Sequence, residues 1–340
     1  MLTVRQKELL KAIIGEYTAH ATPVASQALA RNYDLGVSPA TIRHDMARLE
    51  EEGYISRRHA SAGSVPSAKG YRYYVESLLE TPELPPEEQV LIQHLFHQVE
   101  TELEEWGRLA ASLLVRLAHN AALVTLPRTT PARFQHVELV ALHEFAILLI
   151  LILREARLKR QLITTQEAVS QEGLSTLANK LNSSYLDLTA SQIAARSPVS
   201  PPLEQRVCQT VVHLMEQEDQ QVYESPHVEG LQRMFGQPEF STSQQIRDLL
   251  ELLSERDWLK AVLPQAKAIQ GVQVIIGGEN QPPAMGNCSL VIAQYGTPHR
   301  VSGALGVLGP IRMAYGHTIS AVRYLAGVMS RLLSDLYRAG

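Results

Sequence analysis

Apolar positions in the first fifty residues recur every three or four places. Leu9, Leu10, Ile13, Ile14 and Tyr17 share one helical face, and Thr3 with Gln6 three residues later forms a capping box at its start. Pro23 breaks the pattern, and a short second helix is expected over about Ala25–Asn32, with Ala28 and Leu29 inward. Asp34–Val37 reads as a tight turn in which Gly36 supplies a positive φ. A third helix is expected over Ser38–Glu52. Ser38 is its N-cap, Pro39 occupies N1 where a missing N–H costs nothing, and Gly53 stops it. Ile42, Met46 and Leu49 form its buried stripe, while Pro39, Ala40, Arg43, His44, Ala47 and Arg48 face outward. Two short strands, Tyr54–Arg58 and Val65–Ser67, flank a loop of small residues, His59–Ser64. Helix, turn, helix and basic hairpin together predict a winged helix-turn-helix.

Beyond a Pro-rich break at Thr81–Pro86, one long helix is expected. Its apolar seam runs Ile92, Leu95, Val99, Leu103, Trp106, Ala110, Leu113 and Leu117, and either pairs with a twin or packs along the body. Strands are expected at Ala122–Leu126, Phe134–Ala141, Phe145–Leu153 and Arg157–Thr165, then a helix with Leu174, Leu177 and Leu181 inward. A second break, Ser197–Pro202, precedes a region expected to be helical over 203–257. Strands resume at Val272–Ile276, Ser289–Tyr295 and Arg300–Leu308, and Gly309–Pro310 is expected to open a final amphipathic helix. Strands on both sides of a helical block suggest an insertion into an α+β domain. The expected division is a winged helix at 1–78, a linker and long helix at 79–118, a GAF-like domain at 119–196 and 265–340, and an inserted helical domain at 197–264.

With 340 residues, 45% hydrophobic and 19% charged, the chain has material for several cores and is neither disordered nor fibrous. The longest apolar run, Phe145–Leu153, is half a membrane span, and no signal peptide is read at the start, so a cytoplasmic protein is expected. Two distant cysteines, Cys208 and Cys288, make neither a zinc site nor a disulfide framework. The net charge of -4 hides a gradient. Residues 1–75 carry ten basic and seven acidic side chains, leaving 21 basic and 28 acidic for the rest. Catalytic motifs are missing: there is no GxSxG, P-loop or HExxH, and the glycines at 303, 306 and 309 have the wrong spacing for a dinucleotide. Gly277–Asn280 reads as a strand-end turn, although Glu279 and Asn280 have the chemistry to face a ligand. His94 and His97 lie on a solvated face. No enzyme activity, cofactor or metal is expected.

Double-stranded DNA is the expected partner. Small residues at the start of the third helix, Ser38, Pro39, Ala40 and Thr41, permit close approach to a major groove, and the helix N-terminus favours phosphate. Arg43 can fork onto a guanine edge, with His44 beside it. Arg48, Arg57 and Arg58 suit phosphates, and His59, Ser61, Lys69 and Arg72 complete the expected DNA-facing set.

Two segments carry a family resemblance. Pro39-Ala-Thr-Ile-Arg-His-Asp-Met-Ala-Arg-Leu-Glu-Glu-Glu-Gly-Tyr-Ile55 and His59-Ala-Ser-Ala-Gly-Ser-Val-Pro-Ser-Ala-Lys-Gly-Tyr-Arg-Tyr-Tyr-Val75 resemble the bacterial heat-inducible transcription repressor HrcA family. The second is the more specific, because a generic winged helix does not require Lys69-Gly-Tyr-Arg-Tyr-Tyr74. Val228–Phe240, Ile276–Asn280 and Gly306–Tyr315 resemble the family's later motifs, so the likeness touches both ends of the chain. The family usually has Asn for His44, Thr for Ala60, Arg for Ser64, Thr for Ile311 and Asp for Ala314. Loss of the arginine at Ser64 is expected to remove a cation from the wing tip. The resemblance implies a winged helix, a GAF-like domain and an inserted dimerising domain. It also implies a homodimer on an inverted-repeat operator of class I heat-shock operons, modulated by chaperonin in the bacterial cytoplasm at the nucleoid, with no membrane association. The alternative is a metabolite-responsive one-component regulator sensing through the GAF-like domain.

Overall fold

The computed structural model describes residues 2–33, 36–57, 63–78, 83–99, 102–129, 131–154, 157–165, 167–196, 201–220, 226–255, 258–259, 268–269, 271–297 and 301–338. Two compact units emerge. One comprises 1–126, 225–295 and 304–340, and the other 127–224 and 296–303.

The first unit begins with α1, Val4–His20. The Thr3 hydroxyl accepts from the Gln6 amide at 3.3 Å, and the Gln6 side chain accepts from the Thr3 amide at 2.9 Å, which closes the expected capping box. The helices α2, Ser26–Asn32, and α3, Pro39–Glu51, pack on α1 around Leu9, Leu10, Ile13, Leu29, Ile42 and Leu49. Gly36 and Gly53 adopt φ of 63° and 75°, so Gly36 has the positive φ expected of it and Gly53 ends α3, while Asp34 and Leu35 of the expected turn lie outside the described residues. The strands β1, Ile55–Ser56, and β2, Val65–Pro66, pair antiparallel. Ser64 and Val24 exchange two backbone bonds at 2.8 and 2.9 Å beside them, so the hairpin is anchored to the segment before α2. Helix α4, Ala68–Ser77, follows.

The expected single long helix is two, α5 over Pro86–Gln98 and α6 over Leu103–Ala118. Val99 is extended, with φ -92° and ψ 139°, and Glu104 and Glu105 occupy the first turn of α6, where a new helix N-terminus favours acidic residues. The seam continues across the break, and α6 packs on the body of its own chain.

The body sheet follows the order β8-β3-β12-β11-β10-β9. Its strands are β3, Ala121–Val124; β8, His227–Glu229; β9, Ala268–Ile269; β10, Val272–Ile276; β11, Cys288–Thr297; and β12, Val301–Pro310. β4, Arg128–Thr129, pairs with the start of β12. β3 pairs antiparallel with β12, Leu305 opposite Val124, and β8 adds to the far side of β3, Val228 opposite Leu123. β3 is buried at every position and β12 at nearly every one, so both sheet faces are covered. Helices α10, Leu231–Phe235, α11, Ser243–Ser254, and α12, Tyr315–Arg338, belong to this unit. The final helix therefore starts at Tyr315, because Gly309–Pro310 still runs in strand.

The second unit is a meander, β5-β6-β7, over Phe134–His143, Ala146–Leu153 and Arg157–Thr164. Ile147, Leu149, Leu151 and Leu153 alternate inward against α7, Gln171–Tyr185, α8, Ala190–Arg196, and α9, Pro202–Gln220. Two amide side chains of α7 satisfy the free edge of β5. Asn182 accepts from the Val137 amide at 2.7 Å and donates to its carbonyl at 3.0 Å, and Gln171 does the same for Ala141 and Leu139. Buried Glu218 is matched by Arg157 at 3.1 Å and Lys159 at 2.5 Å.

These elements correct the expected boundaries. Residues 197–264 are not one block, since α9 packs with β5–β7 while α10 and α11 join the body sheet's unit. Nor is 203–257 wholly helical, because His227–Glu229 is a strand. The strands from Phe134 onward look like a continuation of the β3 sheet in sequence, yet among the described residues β5 pairs with β6 alone.

Candidate nucleic-acid interface

Helix α3 presents its N-terminal half outward. The Ser38 hydroxyl accepts from the Thr41 amide at 3.2 Å and shares a 3.0 Å bond with the Thr41 hydroxyl, so both residues build the cap. Pro39, Ala40, Arg43, His44 and Arg48 are exposed, and Thr41 is half-buried. Arg43 donates Nε to the Ser26 hydroxyl at 3.4 Å, from the first residue of α2, and its terminal nitrogens have no partner among the described residues. Such a tether steadies the side chain and leaves its two-nitrogen fork open for a base edge. His44 and Arg48 have no side-chain bond among the described residues.

The inner side of α3 carries a charge that sequence reading passed over. Asp45 lies among Ile42, Met46 and Leu49 at 3% exposure. Arg5 of α1 meets it with Nε on Oδ2 at 2.6 Å and Nη2 on Oδ1 at 3.2 Å. Hydrogen bonding to Asp45, then its charge, pushes the Arg5 guanidinium above its ordinary range. The signal was present in the sequence: a carboxylate on an apolar stripe demands a cation.

Other expected contacts divide. Arg57 is half-buried and pairs with Glu50, Nε to Oε2 at 2.8 Å, so it braces the root of the wing against α3. Arg58, His59 and Ser61 lie outside the described residues. Ser64 is not at the wing tip. It is 0% exposed at the wing's base, so the exchange there leaves the tip's charge unaltered.

Lys69 and Arg72 do not join the α3 face. Lys69 donates to the Glu52 carbonyl at 2.6 Å and stands 4.5 Å over the Tyr54 ring, capping the far end of α3. That end is about 20 Å from the N-cap for a helix of 13 residues. It also carries exposed Glu51 and Glu52, which repel phosphate. Arg72 grips Glu279 through two bonds, one at 2.6 Å, and donates to the Val274 carbonyl at 2.7 Å. A side chain on Gly70 would strike the Tyr54 carbonyl, and Tyr71 is 1% exposed. The distinctive Lys69-Gly-Tyr-Arg72 run is thus explained by packing inside its own unit rather than by a DNA surface.

Among the described residues no group of three metal-binding side chains assembles, and no helix is long and apolar enough to cross a membrane.

Comparison with known proteins adds to this geometry. Residues 104–319 match the family profile of the HrcA protein C-terminal domain, and residues 5–68 match the DeoR-like helix-turn-helix domain. A heat-inducible transcription repressor HrcA of Dehalococcoides mccartyi is 43% identical over 337 residues, spanning 99% of this chain and 97% of the relative. Its counterpart in Herpetosiphon aurantiacus is 43% identical over 343 residues, spanning 99% and 96%. A crystal structure of a hypothetical protein superposes with a TM-score of 0.65 at 23% identity over 98% of this chain and 99% of that one, a likeness of fold alone.

Proposed function

Because this chain belongs to the HrcA family of heat-inducible transcription repressors, and is therefore a negative regulator of heat-shock genes, we propose that it acts as a homodimer on an inverted-repeat operator of chaperonin and co-chaperone operons. The exposed N-terminal half of α3 carries this reading. Arg43 and His44 project just behind the capped helix end, Arg48 is exposed in the last turn, and Asp45 locks the helix from behind. Pro39 and Ala40 allow the helix close to the groove, Ser38 and Thr41 hold its end, Arg57 braces the wing through Glu50, and the wing residues Arg58, His59 and Ser61 serve the flanking backbone. The activity is binding rather than catalysis, and it is exercised in the cytoplasm at the nucleoid.

The body sheet, preceded by α6 and followed by α12, is our GAF-like domain, and the second unit is our dimerising insertion. Its sheet supports that role. Leu142, Leu158 and Leu162 are 55%, 60% and 52% exposed, and Leu148, Ile150 and Ile152 lie half-buried in the middle strand. Glu138 and Arg160 flank Ile150 in one cross-strand row. A two-fold axis through that row sets each Glu138 against the twin's Arg160, which makes the face self-complementary.

Uncovered in a monomer, the same apolar face suits capture by chaperonin. Chaperonin would hold the repressor in its active fold, and heat-unfolded clients would draw chaperonin away and open the operons. Operator binding by purified protein across a temperature ramp, with and without chaperonin, tests this. Extended binding with chaperonin is expected, and unchanged binding sinks the titration mechanism.

A metabolite-responsive regulator is the second reading, favoured by a cavity of about 360 Å³ beside Phe240, Asp248, Asn287 and Cys288. Against it, Glu279 is engaged by Arg72, and Asn280 donates to the carbonyls of Gly277, Met285 and Cys288. A thermal-shift screen of metabolites separates the two readings, since a true ligand raises the melting midpoint.

A further inference from the structure

Two arginines hold the DNA-binding head to the body of the same unit. Arg72 on α4 reaches Glu279 in the turn after β10, and the Ile276 amide donates to Glu279 Oε2 at 2.8 Å, so the acceptor is itself fixed. Arg312, before α12, donates to the Thr18 carbonyl near the C-terminal end of α1 at 2.8 Å. Glu239 orients that guanidinium through bonds of 2.6 and 3.3 Å. Tyr71 and Tyr315 meet in the same contact region, with ring centroids 5.7 Å apart and both rings buried. The Tyr315 hydroxyl donates to the Ile311 carbonyl at 2.8 Å.

One tether permits swivel, whereas two tethers on different helices with an aromatic contact define an orientation. The chain of contacts reaches the recognition helix. Asp45 ties α3 to Arg5 on α1, α1 is tied to the body by Arg312, and α4 is tied to it by Arg72.

We propose that Arg72 and Arg312 are positioning residues for operator choice: their bonds to Glu279 and the Thr18 carbonyl fix the recognition helix on the body, and so set the half-site spacing the dimer accepts. This rests on the reading of a homodimer on an inverted repeat. Inserting one base pair between half-sites moves the second by roughly 3.4 Å and turns it by roughly 35°. A rigid head cannot follow that shift, and a swivelling head can. A rigid head also avoids the ordering cost of aligning both heads on DNA, so the coupling adds affinity at the correct spacing and removes it elsewhere.

The test is a fluorescence titration of full-length protein on duplexes carrying the inverted repeat from its own chaperonin promoter. Spacers are native, one or two base pairs longer, and one or two shorter, with a single half-site and a scrambled duplex alongside. Wild type is expected to lose about tenfold or more per base pair of spacer change. Arg72→Gln with Arg312→Gln should bind the native spacer about tenfold more weakly, vary less than about threefold across spacers, and keep wild-type half-site affinity. The exchange Arg72→Glu with Glu279→Arg should restore spacer discrimination, which separates loss of alignment from loss of folding. A variant as spacer-selective as wild type overturns the inference, as does one that binds every spacer more tightly, since the contact would then be inhibitory. Failure of wild type to prefer any repeat over the scrambled duplex would instead remove the repressor reading, and this inference with it.

Discussion

Arg5 on α1 and Asp45 on α3 form a two-point ion pair across 40 residues of sequence, at 2.6 and 3.2 Å, with the carboxylate buried and the guanidinium half in solvent. The pair fixes the rotation of α3 about its own axis and hence which side chains it presents outward. Asp45→Ala is expected to lower the head's melting midpoint and to weaken operator and scrambled binding alike. Adding Arg5→Ala should cost little more, because the partner is already lost. A fully additive double variant would show that the two residues act independently.

Arg43 is the base-reading residue of this account. Arg43→Ala should reduce operator affinity by about 1–3 kcal/mol, roughly 5- to 160-fold, while scrambled DNA loses much less. Arg48→Ala should weaken both duplexes equally and flatten the salt dependence by about one counterion. Equal losses on both duplexes for Arg43→Ala would move it to the phosphate backbone.

The outer face of β5–β7 supplies the dimer contact proposed above. Leu158→Glu with Leu162→Glu places charge on an apolar two-fold face and should yield monomers in sedimentation velocity, with operator affinity reduced at least about tenfold. Retention of the dimer with both glutamates in place would assign dimerisation to another surface.

Cys288 lies in β11 at 1% exposure, and burial pushes its thiol from the usual 9.0 up to about 12. The folded state therefore disfavours the thiolate. Its contribution to stability is complete below pH 9 and is lost as pH rises from 9 towards 12. Between pH 8 and pH 10 the urea-derived stability should fall by about 1 kcal/mol more in wild type than in Cys288→Ala. Native Cys288 should also resist alkylation at pH 8 until the unit unfolds. Rapid alkylation of the folded protein would place the thiol at the surface.

Local signals made the head legible. The Thr3–Gln6 capping box, Ser38–Pro39 at the start of α3 and Gly53 after it all act within a few residues, and the structure bears each of them out. What sequence reading lost depends on distance. Arg72 looked like one more cation of a basic head, because Glu279 is 207 residues away. The domain boundary failed for the same reason. β5–β7 follow β3 and the two-residue β4 in sequence, yet they form a separate sheet, while β3 takes β8 and β12 from far along the chain. The break at Val99 escaped because the apolar spacing continues through it, and spacing reports a face rather than an unbroken helix.

The most direct test is an equilibrium titration of the full-length protein on its own chaperonin-promoter inverted repeat beside a scrambled duplex of equal composition, at two salt concentrations. Two protomers per operator are expected, with affinity at least about 10³-fold above the scrambled duplex and a steep loss with salt on both. Equal affinity for the two duplexes, or one protomer per operator, would contradict a homodimeric repressor.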